Sequence, residues 1–290
     1  MNERLLTLDL SHLSALTPEI IERSLAALES GQVIYFPHYS FRPDKTETVL
    51  LSESVLHPKH KNISYDYRKQ RLAGLSTLAS SELTRVTSLF MHRFAEYTRQ
   101  LVIGIAPRYS NDLVWGKTSY RPAEVQNRKL SKRKDDSRVH IDAFPSTPVY
   151  GQRILRVFCN INPNDAPRVW DLGEPFSQVL NRFSSKISSY NALRARLLVW
   201  LRASKTIRSP YDHFMLKLHD KMKLDDHYQQ SLNKQRIDFP AQSTWIVFTD
   251  NVSHAALGGQ YLLEQTFYLP IKAMGRPELS PFKQWEALAL

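Results

Sequence analysis

The pair His140 and Asp142 carries residue types that bind metal ions. The two lie two positions apart in sequence that we predict to be extended, and alternate side chains of a strand point to the same face. His254 follows an apolar strand and a turn at Asp250-Asn251, so a returning strand can supply a third ligand. Two His and one carboxylate form the facial triad of non-haem Fe(II) oxygenases, which leaves positions open for a cosubstrate and O₂. We therefore predict an iron site at His140, Asp142 and His254.

A short His-x-Asp pattern also has a simpler interpretation, as a surface pair or a hydrogen-bonded core histidine. Ile141 lies between the two residues, and the run Ala143-Phe144-Pro145 follows them. This context places the pair at a strand end beside a loop, where functional residues are usually held on a rigid scaffold. It favours the metal site over the simpler interpretation.

A second group of possible ligands lies in helical sequence downstream. Its members are His213, His219, Asp220 and His227. His213 and His219 are six positions apart, so they face away from each other on a helix. We interpret all four as structural or surface residues.

Length and composition indicate an ordinary globular protein. The 290 residues are 42% hydrophobic, which suffices for a substantial core. No run approaches the roughly 18 apolar residues of a membrane span, and Glu3, Arg4 and Asp9 interrupt the region where a signal peptide needs an apolar centre. We expect a cytoplasmic protein without a transmembrane segment.

The single cysteine, Cys159, lies in an apolar run and is interpreted as a small core residue.

The charge balance points to an anionic partner. There are 39 Lys and Arg against 28 Asp and Glu, a net charge of +11, and the pI is near 9.7. Nucleic acid, phospholipid head groups and phosphorylated glycolipids all satisfy this excess. The densest cluster runs directly into His140 and consists of Arg128, Lys129, Lys132, Arg133, Lys134 and Arg138. This cluster is either a solvated loop or the rim of an active-site mouth.

Two helices are predicted near the N-terminus. Thr17 and Pro18 are an N-cap and a first helical residue, and Gly31 can close that helix. Ser81 begins a longer helix with an apolar face that ends near Gly104. Neither an internal repeat nor a Gly/Ser linker divides the chain, which favours one domain.

Two motifs contain the predicted ligands, RVHIDAFPS at 138–146 and FTDNVSH at 248–254. Further segments, in order, are 118–124, 128–130, 133–136, 154–158, 160–163, 168–170, 214–216, 219–223 and 228–229. Together these motifs cover most of the chain and resemble those of the Kdo hydroxylases, which act on 3-deoxy-D-manno-oct-2-ulosonic acid (Kdo).

The resemblance implies an Fe(II)/2-oxoglutarate-dependent dioxygenase that uses O₂ to hydroxylate C3 of Kdo in the lipopolysaccharide inner core. The product sugar would be Ko, made on Kdo-bearing lipid A or a related glycolipid at the inner membrane. His140, Asp142 and His254 would hold the Fe(II). Halogenases of the wider class replace the carboxylate ligand with a small residue, so retention of Asp142 indicates a hydroxylase.

The fold implied by the resemblance is α+β, a double-stranded β-helix (jelly-roll, cupin-like) core with flanking helices. Within a single domain, 1–290, we expect a mainly helical N-terminal cap with the first strands over 1–110. A jelly-roll core over 111–272 would carry a helical insertion at about 175–232. Residues 273–290 would form a C-terminal tail.

The distal carboxylate of 2-oxoglutarate needs a cation. Many oxygenases of the wider class place one about ten residues beyond the second His, but the seventeen residues after His254 contain no Lys or Arg. Arg156 is our candidate, because it shares a strand face with Asn160 and a buried Arg can grip a carboxylate bidentately. Gln265 or Thr266 could add a neutral hydrogen bond. The alternative is that Arg156 pairs with a structural carboxylate.

The Kdo carboxylate and the lipid A phosphates suit a basic rim. Candidate contacts are Lys117, Arg121, Lys129 and Arg133, each of which could instead be solvated or structural. Such a patch also suits peripheral contact with the anionic cytoplasmic face of the inner membrane.

Two other functions stay open. A related oxygenase could act on RNA or another glycan, although the basic run lacks interleaved aromatic residues and we expect no nucleic-acid partner. A non-catalytic anion-binding jelly roll would keep the fold and charge without iron.

Overall fold

The computed structural model describes residues 4–124, 130–145, 147–202 and 206–288. Lys129, one of the candidate substrate contacts, lies outside these residues, as does Arg128. The strands are β1 (Leu5–Thr7), β2 (Val33–Phe36), β3 (Ile63–Asp66), β4 (Arg71–Ala73), β5 (Val114–Arg121), β6 (Arg153–Asn160), β7 (Arg168–Pro175), β8 (Gln235–Phe239), β9 (Ser243–Phe248), β10 (Val252–Gly258) and β11 (Leu262–Leu269). The helices are α1 (Pro18–Glu29), α2 (Ser81–Ile105), α3 (Phe176–Phe183), α4 (Ala192–Trp200), α5 (Pro210–Leu224), α6 (Asp226–Ser231) and α7 (Pro281–Leu288).

Local sequence signals set the ends of the N-terminal helices. The Thr17 hydroxyl accepts a hydrogen bond from the Ile20 amide at 3.4 Å at the start of α1. Gly31 follows α1 with φ +84°, a left-handed conformation that glycine adopts without a steric penalty. The Ser80 hydroxyl caps α2 by accepting from the Leu83 amide at 3.0 Å. Both predicted helices are therefore confirmed.

A large sheet forms the framework of the molecule. Its strand order is β1-β2-β9-β6-β11-β5-β3-β4, and every neighbouring pair is antiparallel except β1 with β2. Helices α1 and α2 contribute to two apolar clusters with side chains of this sheet, including Leu28, Leu101 and Phe94. The helices therefore cover the sheet, and the burial of these side chains is a main source of its stability.

A smaller antiparallel sheet, in the order β10-β7-β8, packs against the large one. Trp170 on β7 contacts Phe158 on β6 with ring centroids 4.9 Å apart. Phe239 on β8 stacks on Trp245 of β9 at 4.0 Å. These aromatic contacts hold the two sheets face to face, so side chains from both sheets can meet in the space between them.

Helices also cover the smaller sheet. Val139 and Ile141, which flank the first candidate ligand, are fully buried in a cluster with side chains of α3 and α5. Phe282 and Trp285 of α7 pack against Tyr211 of α5, at 5.1 Å and 5.6 Å between ring centroids. The fold is thus mixed α+β with a large antiparallel sheet. No helix among the described residues has both the length and the apolar character needed to cross a bilayer.

Candidate metal centre

Backbone pairing places the three candidate ligands side by side. The His140 amide donates to the His254 carbonyl at 2.9 Å, and the His254 amide donates to the His140 carbonyl at 2.8 Å. The Asp142 amide donates to the carbonyl of Thr249 at 2.8 Å, just before the turn into β10. The side chains of His140, Asp142 and His254 are buried, and their ligand atoms all lie within 4.8 Å of one another. Backbone pairing therefore brings two imidazoles and one carboxylate to a single point, although His140 forms only an isolated bridge with His254 and Asp142 lies outside the strands.

Each imidazole is fixed with the same nitrogen available. The His140 Nδ1 lies 2.8 Å from the Arg138 carbonyl, and the His254 Nδ1 lies 2.8 Å from the Val252 carbonyl. A carbonyl can only accept, so both Nδ1 atoms carry the hydrogen and both Nε2 atoms keep a free lone pair. The ring of Trp170 stacks on that of His254 at 4.8 Å. Such contacts hold metal-binding histidines in their tautomer and orientation.

The protonation states also suit a divalent metal. Burial lowers the pKa of His140 well below its ordinary value, and nearby Lys223 lowers it further. Burial likewise lowers the pKa of His254. Burial alone would raise the pKa of Asp142, but the Arg156 guanidinium, the two imidazoles and a hydrogen bond from Thr249 together hold this pKa below its usual range. At neutral pH the cluster is two neutral imidazoles and one carboxylate, the donor set of the facial triad.

Paired arginines form one wall beside this cluster. Arg156 Nη1 donates to Asp142 Oδ2 at 2.8 Å, and its Nη2 lies 2.6 Å from Glu264 Oε1. Glu264 in turn faces Arg121, whose Nε lies 3.3 Å away. Arg121 Nη1 then lies 3.7 Å from Asp136. We call Arg121, Arg156 and Glu264 the paired wall, because each arginine in it already contacts two carboxylates.

Arg168 has different surroundings. Its side chain is 3% exposed, and Nη1 donates to the Gly259 carbonyl at 2.7 Å. Among the described residues it forms no ion pair, and its buried Nε, like those of Arg121 and Arg156, has no hydrogen-bond partner. Burial lowers the pKa of Arg168 to about 10, so it remains a cation at neutral pH. Arg168 is therefore a buried positive charge that no carboxylate in the described part of the chain neutralises by direct contact.

The ligand cluster and both kinds of arginine line one cavity of about 460 Å³. Among the residues that the structure describes, three carboxylates line it: Asp136, Asp142 and Glu264. The cationic lining residues within the same ranges are Lys61, Lys117, Arg121, Arg133, Lys134, Arg156, Arg168 and Lys223. This excess of positive charge suits a ligand with several negative groups.

The predicted 2-oxoglutarate contacts divide into two groups. Arg156 and Thr266 line the cavity. Gln265 does not, because neighbouring residues of a strand face opposite ways, and its amide contacts the Thr118 hydroxyl at 2.5 Å instead. The Asn160 amide donates to the carbonyls of Ala166 and Phe239 and so secures the end of β6. The structure therefore brings two of the four to the cavity.

The described candidate substrate contacts all reach the cavity. Lys117 lines it while pairing with Asp66 at 2.7 Å, and Arg133 lines it while pairing with Asp220 at 3.3 Å. Arg121 belongs to the paired wall. Of the basic cluster before His140, Arg133 and Lys134 line the cavity, whereas Lys132 and Arg138 pair with Asp226. The cluster is thus partly rim and partly structural.

His219 is placed differently from our interpretation as a structural or surface residue. Its ring meets that of His140 edge-on, with centroids 5.4 Å apart, and it lines the cavity. Lys223 lies one helical turn further along α5, is 1% exposed, and contacts Asp136 at 3.2 Å. The i, i+4 spacing of His219 and Lys223 could have predicted that they lie together, because it puts both side chains on one face of the helix.

Comparisons with known protein families and with solved structures indicate the same family. A model of the family described as 3-deoxy-D-manno-oct-2-ulosonic acid (Kdo) hydroxylase matches residues 13–290. A search of curated proteins gave no match.

Solved structures of the Kdo hydroxylase KdoO, described as a non-haem Fe(II) α-ketoglutarate-dependent dioxygenase, are similar throughout. The complex with cobalt(II) has a TM-score of 0.95 and 44% identity over 98% of this chain and 95% of that one. The complex with α-ketoglutarate (2-oxoglutarate) and Fe(III) has a TM-score of 0.94 and 43% identity over 99% and 96%. The complex with succinate and Fe(III) has a TM-score of 0.93 and 43% identity over 98% and 95%. The chain belongs to the Kdo hydroxylase family.

Proposed function

We propose that this protein is an Fe(II)/2-oxoglutarate-dependent dioxygenase that hydroxylates C3 of Kdo to give Ko. The observation that carries the proposal is the buried His140, Asp142 and His254 cluster, which opens into a cationic cavity. The same cavity is placed between two antiparallel sheets that face each other. This arrangement supports a double-stranded β-helix core, in which ligands bind between the sheets.

The donor set fits Fe(II). Two Nε2 lone pairs and one carboxylate oxygen are the ligands of the facial triad, and Nδ1 hydrogen bonds fix both rings. Arg156 holds Asp142 Oδ2, which leaves Oδ1, 3.8 Å from His140 Nε2, as the oxygen for the metal. The carboxylate would therefore bind through one oxygen and leave positions free for cosubstrate and O₂.

The cavity also fits 2-oxoglutarate. Arg168 and Trp170 are two positions apart on the inward face of β7, about 7 Å along the strand, and Trp170 stacks on His254. A five-carbon dicarboxylate held at the metal by one end would place its other end in this direction. Arg168, with a buried and unpartnered Nε, would receive that distal carboxylate.

This assignment gives the two cavity arginines different roles. Arg156 remains a candidate from its strand position, but its contacts with Asp142 and Glu264 suit it to orienting the metal ligand. Thr266, on the same wall, would add a neutral hydrogen bond to the cosubstrate.

When bound together, Fe(II), 2-oxoglutarate and O₂ supply the oxidising chemistry that yields succinate, CO₂ and a hydroxylated carbon. The protein supplies position and charge. Phe158 and Trp170 form an apolar part of the cavity wall beside His254 and keep water from that side. The neutral imidazoles and the paired wall hold their protonation states at neutral pH, so the residues themselves move no proton during binding.

The substrate would be Kdo on lipid A or a related glycolipid. The Kdo carboxylate and the lipid A phosphates match the cations at the cavity mouth, among them Lys117, Arg133 and Lys134. Such a substrate would bring the enzyme to the cytoplasmic face of the inner membrane.

Mass spectrometry tests the proposal. Kdo-bearing lipid A incubated with the protein, Fe(II), 2-oxoglutarate and air should gain one oxygen on the Kdo, and His140→Ala should abolish the gain. Iron-dependent succinate release without this gain would keep the oxygenase and reject the sugar, in favour of another glycan or RNA. Absence of both would support the anion-binding jelly roll.

A further inference from the structure

Helix α4 exposes an apolar face to solvent. Leu193, Leu197, Trp200 and Leu201 are 75%, 50%, 78% and 57% exposed. Their spacing of i, i+4, i+7 and i+8 puts them in one stripe along the helix, whereas Ala195 on the opposite side is buried. A surface helix normally buries such a stripe against the core, whereas this helix exposes its apolar stripe to solvent.

The charge of the surrounding sequence is of one sign. Between residues 186 and 209 there are six Lys and Arg and no Asp or Glu. Arg196 and Arg202 are exposed next to the apolar stripe. Ile207, 48% exposed, extends the apolar surface beyond the helix. An apolar stripe flanked by cations is the pattern of a helix that lies in the interface of an anionic membrane.

The segment is attached to the rim of the active-site cavity. The Tyr190 hydroxyl donates to the Arg208 carbonyl at 2.9 Å, which closes the segment at its base. Arg208 Nη2 donates to the Pro145 carbonyl at 2.6 Å, and the Tyr150 hydroxyl donates to the Ile207 carbonyl at 2.9 Å. Pro145 itself lines the cavity. The exposed stripe therefore has a fixed connection to the mouth through which substrate must enter.

We propose that α4, together with Leu201 and Ile207, docks this enzyme on an anionic phospholipid bilayer, with Trp200 and the leucines in the interface. At nine residues α4 is about 14 Å long, so it would lie along the surface. A second copy is a poorer occupant, because a symmetric contact would bring Arg196 and Arg202 of one copy against the same exposed cations of the other. Docking here would present the cavity mouth to a glycolipid head group. The choice of that substrate rests on the proposed function, whereas the docking itself does not.

Vesicle sedimentation without substrate, iron or 2-oxoglutarate tests the docking alone. The protein should sediment with phosphatidylcholine vesicles that contain about one third phosphatidylglycerol, and much less with pure phosphatidylcholine. The double variant Leu193→Ser/Trp200→Ser should bind the anionic vesicles about tenfold more weakly, because the buried apolar area is lost. Leu78→Ser removes a leucine that is 93% exposed outside this segment and should bind like the wild type.

The charge requires a separate variant. Arg196→Gln/Arg202→Gln should reduce the preference for anionic over neutral vesicles while circular dichroism stays unchanged. Wild-type protein that sediments with neither vesicle would overturn the proposal, as would equal binding by the double variant and Leu78→Ser. Self-association lost in the double variant, with no vesicle binding by the wild type, would instead assign the surface to a second copy. If binding holds but no Kdo is oxygenated, the proposed function fails and the docking stands.

Discussion

Arg156 and Arg168 line the same cavity, but their positive charges have different neighbours. Arg156 contacts Asp142 and Glu264, whereas Arg168 donates to a backbone carbonyl and forms no ion pair with the described residues. A guanidinium that already binds two carboxylates can orient them, but it attracts a further anion only weakly. A buried charge without a counterion is costly unless a ligand completes it. This contrast is the basis of our proposal that Arg156 orients the metal ligand and Arg168 binds the cosubstrate.

Removal of Asp142, the carboxylate that we propose binds the metal and that contacts Arg156, should have the largest effect. Asp142→Ala is expected to lower turnover by more than about 1,000-fold, because it removes one ligand and leaves Arg156 beside the metal position. Iron content after anaerobic loading and gel filtration should fall with it. Asp238→Asn, which removes an exposed carboxylate on β8, is the matched control and should retain both iron and activity. Full iron occupancy in Asp142→Ala would contradict its role as a ligand.

Replacing each of the two arginines in turn tests whether they have different roles. Arg168→Leu should raise the KM for 2-oxoglutarate about 100-fold with a smaller change in kcat, because a charge-assisted carboxylate contact is lost. Arg156→Leu should chiefly lower kcat and iron affinity, since Asp142 loses its orienting partner. Arg85→Gln, at an exposed pair with Glu82, should change neither. The reverse pattern in the KM values would exchange the two roles.

Glu264 holds the paired wall together, so its charge should matter for stability. Glu264→Gln should lower the free energy of unfolding by about 3 kcal/mol, because Arg121 and Arg156 lose the carboxylate between them. Urea denaturation measures this change.

The same carboxylate gives a pH dependence with a definite sign. Burial raises the pKa of Glu264, but Arg121 and Arg156 more than offset it, so the folded-state pKa lies below the ordinary 4.5. Its contribution to stability is therefore complete above pH 4.5 and is lost as the pH falls through the lower folded-state value. Wild type should lose stability on acidification more steeply than Glu264→Gln; parallel curves would reject the paired wall as the source.

A small effect is expected at the mouth. Lys117 is paired with Asp66 but its side chain is 58% exposed, so Lys117→Ala should raise the KM for the glycolipid only about threefold. Asp66→Ala frees the same lysine and should leave that KM unchanged or lower it. Steady-state kinetics at fixed 2-oxoglutarate distinguishes these results.

The sequence was informative where short-range rules decide the structure. The spacing of His140 and Asp142 and the turn before His254 correctly predicted that the three lie together, and capping residues placed both ends of α1. The same alternation explains why Gln265 and Thr266 do not both reach the cavity, since adjacent strand residues face opposite ways.

Contacts between distant segments could not be read in this way. The paired wall joins β5, β6 and β11, and its partners follow from the strand order of the large sheet rather than from sequence spacing. His219 reaches His140 because of how α5 packs against the smaller sheet. Arg168 could be placed on a strand face, but its missing counterion becomes visible only when its neighbours are known.

Anaerobic titration with Fe(II) and 2-oxoglutarate tests most directly that one cavity holds both. The chelate of 2-oxoglutarate with Fe(II) absorbs visible light by charge transfer, so its formation can be followed without turnover. The wild type should develop this absorption, Arg168→Leu should require far more 2-oxoglutarate to do so, and His254→Ala should not develop it. Absorption that is absent in the wild type, or retained in His254→Ala, would contradict the account.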